Sequence, residues 1–234
     1  MKAVDPEITV LGVNTTTATG PGETRMGGHQ WTQGVVQAGG LPYCDAIAYH
    51  HYIGGKPGYP GDVVEQGYET ATAAAQDEKG LVPKPVWMTE GSAGRDTIGN
   101  GLYTVTLPGA PEEDVIETGD RLARYMVALL ARGVQRIFLY SMHSHTYFGR
   151  DGRWRVLVTE DGALHPSAAA HATVAWNLED TDFVRSVPLA EGVHAYLFAG
   201  PAHAVAAVST APQHTAWRLD PDDRTRVTDL FGNP

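Results

Sequence analysis

Apolar, β-rich runs take turns with helical stretches along most of this chain, and that alternation restricts its fold more than any other property. The strand-like runs are Ile8 to Val13, Ala46 to Tyr52, Pro85 to Thr89 and Val134 to Tyr140. Residues around Gln30 to Ala38, Asp62 to Glu78, Glu112 to Arg132 and Pro166 to Leu178 read as helices. The third helix is the clearest. Leu122, Met126, Leu129 and Leu130 recur at helical spacing, acidic residues crowd its start, and Gly133 ends it. Strands alternating with helices imply a parallel sheet with crossover helices. The near-continuous apolar character of the strands suits a sheet buried on both faces. Loops that follow strands are long and rich in Gly, Pro and aromatics, while those that lead into strands are shorter. This asymmetry puts a working face at the C-terminal ends of the strands.

After Leu178 the pattern changes to short β-like runs: Phe183 to Val187, Val193 to Phe198, Ala204 to Ser209, His214 to Arg218 and Thr225 to Asp229. Gly-Pro and Pro-Asp-Asp punctuate them. The fold class is therefore α/β, with residues 1–180 forming the parallel unit and residues 181–234 an incomplete antiparallel β domain.

The composition narrows the function. The chain has 234 residues and a net charge of −10, without a Lys or Arg run, so a nucleic-acid surface is not expected. No apolar stretch reaches membrane-spanning length. The single cysteine, Cys44, lies at the start of an apolar run and reads as a small buried residue rather than a nucleophile.

Two motifs carry chemistry. Val86-Trp87-Met88-Thr89-Glu90-Gly91 delivers a glutamate at the end of an apolar strand, where a barrel would hold catalytic groups. Asp45-Ala46-Ile47-Ala48-Tyr49-His50-His51-Tyr52 ends the preceding strand, and alternation puts His50 and Tyr52 on one face and Tyr49 and His51 on the other. A His and a Tyr at a strand end can donate hydrogen bonds to a neighbouring carboxylate and keep it ionised and oriented.

In this order the two motifs resemble the clan A glycoside hydrolases, in particular families 5 and 39. The resemblance rests on His50-His51-Tyr52, on Trp87-Met88-Thr89-Glu90 and on the opening Ala3-Val4-Asp5-Pro6-Glu7-Ile8. It implies the C-terminal half of a TIM (β/α)8 barrel, strands five to eight, followed by a small antiparallel β domain. It also implies a retaining hydrolase of a β-linked glycan or glycoside, with Glu90 as nucleophile, Tyr52 as its hydrogen-bond partner and His50 at the same site. Such chemistry uses two carboxyls about 5–5.5 Å apart and needs no cofactor or metal.

The chain departs from the clan pattern twice. No Asn-Glu pair supplies the acid/base, which the resemblance places on an absent fourth strand; the chain alone is then expected to be inactive. Where the clan puts a Trp on the eighth strand, this chain reads Tyr140-Ser141-Met142-His143. Aromatics in the loops suit a sugar partner, among them Tyr59, Tyr103, Tyr147, Phe148 and Trp154. His143, Tyr140, Tyr147 and Trp154 are the candidate substrate contacts. Two rival readings stay open: a non-catalytic carbohydrate-binding or structural protein on a decayed barrel, and a metal-dependent hydrolase using His143, His145 and His50.

Overall fold

A computed structural model describes residues 2–16, 28–52, 84–93, 112–140, 142, 157–158, 162–190, 193–210 and 225–234. In chain order the elements are β1 (Leu11–Thr16), α1 (Gly28–Gln37), a 3-10 turn (Leu41–Tyr43), β2 (Ala46–Tyr52), β3 (Val86–Ser92), α2 (Glu112–Ala131), β4 (Val134–Leu139), α3 (Pro166–Leu178), β5 (Asp182–Ser186), β6 (Val193–Ala199) and β7 (Ala204–Thr210). Strands β1 to β4 form a parallel sheet in sequential order, and β5 to β7 form a separate antiparallel sheet. The expected helix at Asp62 to Glu78 and the strand at His214 to Arg218 lie outside the described residues.

Helix α2 explains much of the packing. Leu122, Tyr125, Met126 and Leu129 are buried and fall at positions i, i+3, i+4 and i+7, so they make one stripe. That stripe joins Ile47 and Tyr49 of β2 and Val86 and Met88 of β3 in a single core. Each fully buried Ile, Leu or Met there contributes roughly 1.5–3 kcal/mol. Gly133, at a φ of 85°, ends the helix in the left-handed region, and its amide donates to the carbonyl of Leu130 at 2.9 Å. The next residue, Val134, starts β4. Helix α3 packs against α2, and Val174 and Leu178 extend the core towards Phe198 of β6.

Several boundaries differ from the sequence reading. Strand β1 starts at Leu11 rather than Ile8, because Asp5 folds the preceding segment by accepting the Glu7 amide at 3.0 Å. The Asp45 carboxylate then takes the Val10 amide at 2.8 Å, and pairing begins at Leu11 opposite Ala46. The strand continues through polar Asn14-Thr15-Thr16 to pair with Tyr49 and His50, past an irregularity where Val13 takes a φ of 70°. Strand β3 runs on to Ser92 instead of stopping at Thr89, because Glu90, Gly91 and Ser92 pair with His50, His51 and Tyr52.

Residues 225–229 form no strand. Asp229 instead accepts the amides of Phe231 and Asn233 at 2.9 Å and closes a turn. That turn sets Phe231 against Gly119 of α2, where a Cβ on the glycine would come within 3.1 Å of the ring. The C-terminal segment thus returns to the helices rather than adding to the β5–β7 sheet.

Candidate active site

The two faces of the parallel sheet have different occupants. Ile47, Tyr49, Val86 and Met88 face α2, and His51 stacks on Tyr125 with ring centroids 5.7 Å apart. On the other face Arg136 lies over the Trp87 ring at 4.6 Å, and Phe138 meets the same ring at 6.2 Å. Phe138 remains 47% exposed, so α2 does not cover this second face.

Glu90 reaches the second face through a bulge. Plain alternation from Val86 and Met88 would turn Glu90 towards α2. The ladder slips, however, between the pairs Tyr49–Met88 and His50–Glu90, leaving Thr89 as an extra residue. Thr89 Oγ1 donates to the Tyr49 carbonyl at 3.3 Å. A one-residue insertion reverses every following side chain, and bulges of this kind re-aim side chains beside functional sites. Glu90 therefore shares a face with His50. Its Oε2 lies 3.6 Å from His50 Nδ1, a charge contact when the imidazole is protonated and longer than a hydrogen bond. The two side chains are 36% and 27% exposed, which leaves both within reach of a ligand.

The segment after Glu90 must be glycine. A Cβ at Gly91 would strike the His51 carbonyl and lie 2.7 Å from Tyr125 Oη and 2.8 Å from Met88 Sδ. Tyr125, fully buried on α2, donates its hydroxyl to that carbonyl at 2.7 Å. The Tyr140 amide donates to the Gly91 carbonyl at 2.8 Å, so Tyr140 sits just past β4 beside the same strand end.

The structure thus brings together His50, Glu90 and the backbone of Tyr140 at the C-terminal ends of β2 to β4. The Tyr52 backbone pairs with Ser92 at the same edge. The Tyr52 side chain, His143, Tyr147 and Trp154 lie outside the described residues, as do His145, Tyr59, Tyr103 and Phe148. Sequence reasoning missed Tyr125, and it included Gly91 only as part of the Glu90 motif. Tyr125 falls three residues after Leu122 and four before Leu129, on the stripe already recognised as buried, and a phenol there needs a polar partner in the core.

Cys44 is buried, its Sγ donates to the Leu41 carbonyl at 3.3 Å, and burial pushes its thiol pKa up, so it is a protonated core residue at neutral pH. Among the described residues no group of three or more His, Cys, Asp or Glu could hold a metal ion, and no helix is long and apolar enough to cross a membrane.

No protein-family model and no curated protein matches the sequence. A solved structure of a family 39 glycoside hydrolase from the gut symbiont Bacteroides cellulosilyticus WH2 is similar, with a TM-score of 0.61 and 19% identity over 89% of this chain. The alignment covers 41% of that protein, so this chain spans about two-fifths of its length. An FMN-binding beta-glucuronidase from Facaelibacterium prausnitzii L2-6 aligns over 88% of this chain and 36% of its own, at 14% identity and a TM-score of 0.37, too distant to bear on the argument. This chain shares the fold of part of that family 39 glycoside hydrolase.

Proposed function

We propose that this chain carries part of a retaining glycoside hydrolase acting on a β-linked glycan or glycoside, with Glu90 as the nucleophile. The observation that carries the reading is the bulge at Thr89, which turns Glu90 out of the core and onto the face of His50 at the C-terminal strand ends. The likeness of fold to a family 39 glycoside hydrolase supports it. In the first step the Glu90 carboxylate attacks the anomeric carbon, and the bond to the leaving oxygen breaks as a second carboxyl protonates that oxygen. In the second step the same group takes a proton from water, and the water oxygen displaces Glu90 from the sugar.

The four parallel strands then correspond to strands five to eight of a (β/α)8 barrel, and the second carboxyl comes from a strand outside these four. No Asn-Glu pair of this chain competes for that role. Residues 1–180 form the barrel portion and residues 181–234 the accessory β domain. Tyr52 would donate to Glu90, His50 would lie against Glu90 or the sugar, and Tyr140, His143, Tyr147 and Trp154 would line the sugar site.

The test is Glu90→Ala in the full-length protein. Turnover of an activated β-glycoside should disappear, and azide should restore part of it by attacking the anomeric carbon from the vacated side. Turnover at the wild-type level in this variant would refute the assignment.

A further inference from the structure

We infer that Tyr125 is a positioning residue that holds Glu90 and His50 on the open face of the sheet. The catalytic meaning of this role rests on the reading of Glu90 as nucleophile. The geometric role stands on contacts alone.

A bulge near a strand end is prone to lose its register, because a slip of one residue swaps the faces of everything after it. Here such a slip would return Glu90 to the side of α2. Three contacts of Tyr125 oppose it. Its hydroxyl donates to the His51 carbonyl at 2.7 Å, one residue after His50. Its ring stacks on the His51 imidazole at an interplanar angle of 20°. Its oxygen occupies the place that a side chain at position 91 would need, one residue after Glu90. His51 and Gly91 are themselves partners in the β2–β3 ladder. One phenol anchored in the core of α2 therefore pins the residues that follow both members of the His50–Glu90 pair. Only the hydroxyl group sets this contact, since an apolar ring of the same size would fill the core equally well.

The experiment compares Tyr125→Phe with wild type in the full-length protein. Backbone amide exchange at residues 49–52 and 88–92 should speed up about tenfold, the usual scale for losing one buried hydrogen bond, while β6 and β7 keep their protection. With an activated β-glycoside, kcat should fall at least about tenfold while KM moves less than about twofold, the pattern for a group that matters only in the transition state. In the wild type, the Tyr125 hydroxyl proton should be seen by NMR as slowly exchanging and close to His51, a measurement that needs no variant. Unchanged exchange at residues 49–52 and 88–92 overturns the inference, as does a rise spread evenly over all strands. Raised exchange with kcat unchanged overturns its catalytic part. Failure of Glu90→Ala to abolish turnover would sink the proposed function and leave the exchange result to decide the positioning on its own.

Discussion

Replacing Gly91 with alanine inserts one methyl group at the most crowded point of the β2–β3 ladder. That carbon would collide with the His51 carbonyl, which belongs to a paired strand and cannot swing away. It would also sit 2.7 Å from the Tyr125 hydroxyl and 2.8 Å from Met88 Sδ. Overpacking of this kind costs about 1–3 kcal/mol. The phenol must also retreat from its 2.7 Å hydrogen bond to His51, which adds roughly 0.5–1.5 kcal/mol. The combined loss is about 1.5–4.5 kcal/mol, and each kcal/mol moves the melting temperature by roughly 2–4 °C in a chain of this size. Calorimetry and urea titration of Gly91→Ala should both register the loss. A variant within about 0.5 kcal/mol of wild type, the range of an ordinary surface change, would refute the close packing described around Glu90.

Other expectations follow from the same geometry. Gly34→Ala on α1 meets nothing within 4 Å, so it should stabilise the chain by up to about 1 kcal/mol through helix propensity; a lower urea midpoint would contradict this. Gly12→Ala puts a Cβ against Cys44, with Sγ at 2.7 Å, and should lower the urea midpoint by the equivalent of about 1–3 kcal/mol. Asp45 should make folding acid-sensitive. The Lys2 ammonium and then the Val10 amide hold its carboxyl below the ordinary 3.8. The folded form therefore binds fewer protons than the unfolded form, and the stabilisation is present above pH 3.8 and lost as pH falls through the lowered value. Asp45→Asn should flatten the fall in urea midpoint as pH drops from neutral through 3.8 and below. An unchanged slope would contradict the role.

The sequence shows some of these features and hides others. The helix over Glu112–Ala131 is legible because its buried residues repeat at 3.6-residue spacing and Gly133 ends it. The opposite facing of His50 and His51 is legible because β2 is regular up to that point. The bulge at Thr89 is not legible. It belongs to the pairing with β2, and Val86-Trp87-Met88-Thr89-Glu90 alternates like any strand. Alternation alone would have sent Glu90 into the core. The Tyr125–His51 bond joins residues 74 apart, which local patterns do not connect. The start of β1 is not legible for a similar reason. Ile8, Val10 and Leu11 look equally strand-like, but the Asp45 carboxylate takes the Val10 amide, and the ladder starts after it. At the C-terminus, β-rich residues 225–229 form no strand because Asp229 spends its carboxylate on closing a turn.

The most direct test is to trap the glycosyl-enzyme in the full-length protein with a 2-deoxy-2-fluoro glycoside and to locate the adduct by peptide mass spectrometry. The sugar should be found on the Glu90 carboxylate, bound as an ester. An adduct on any other side chain, or steady hydrolysis with none formed, would contradict the account.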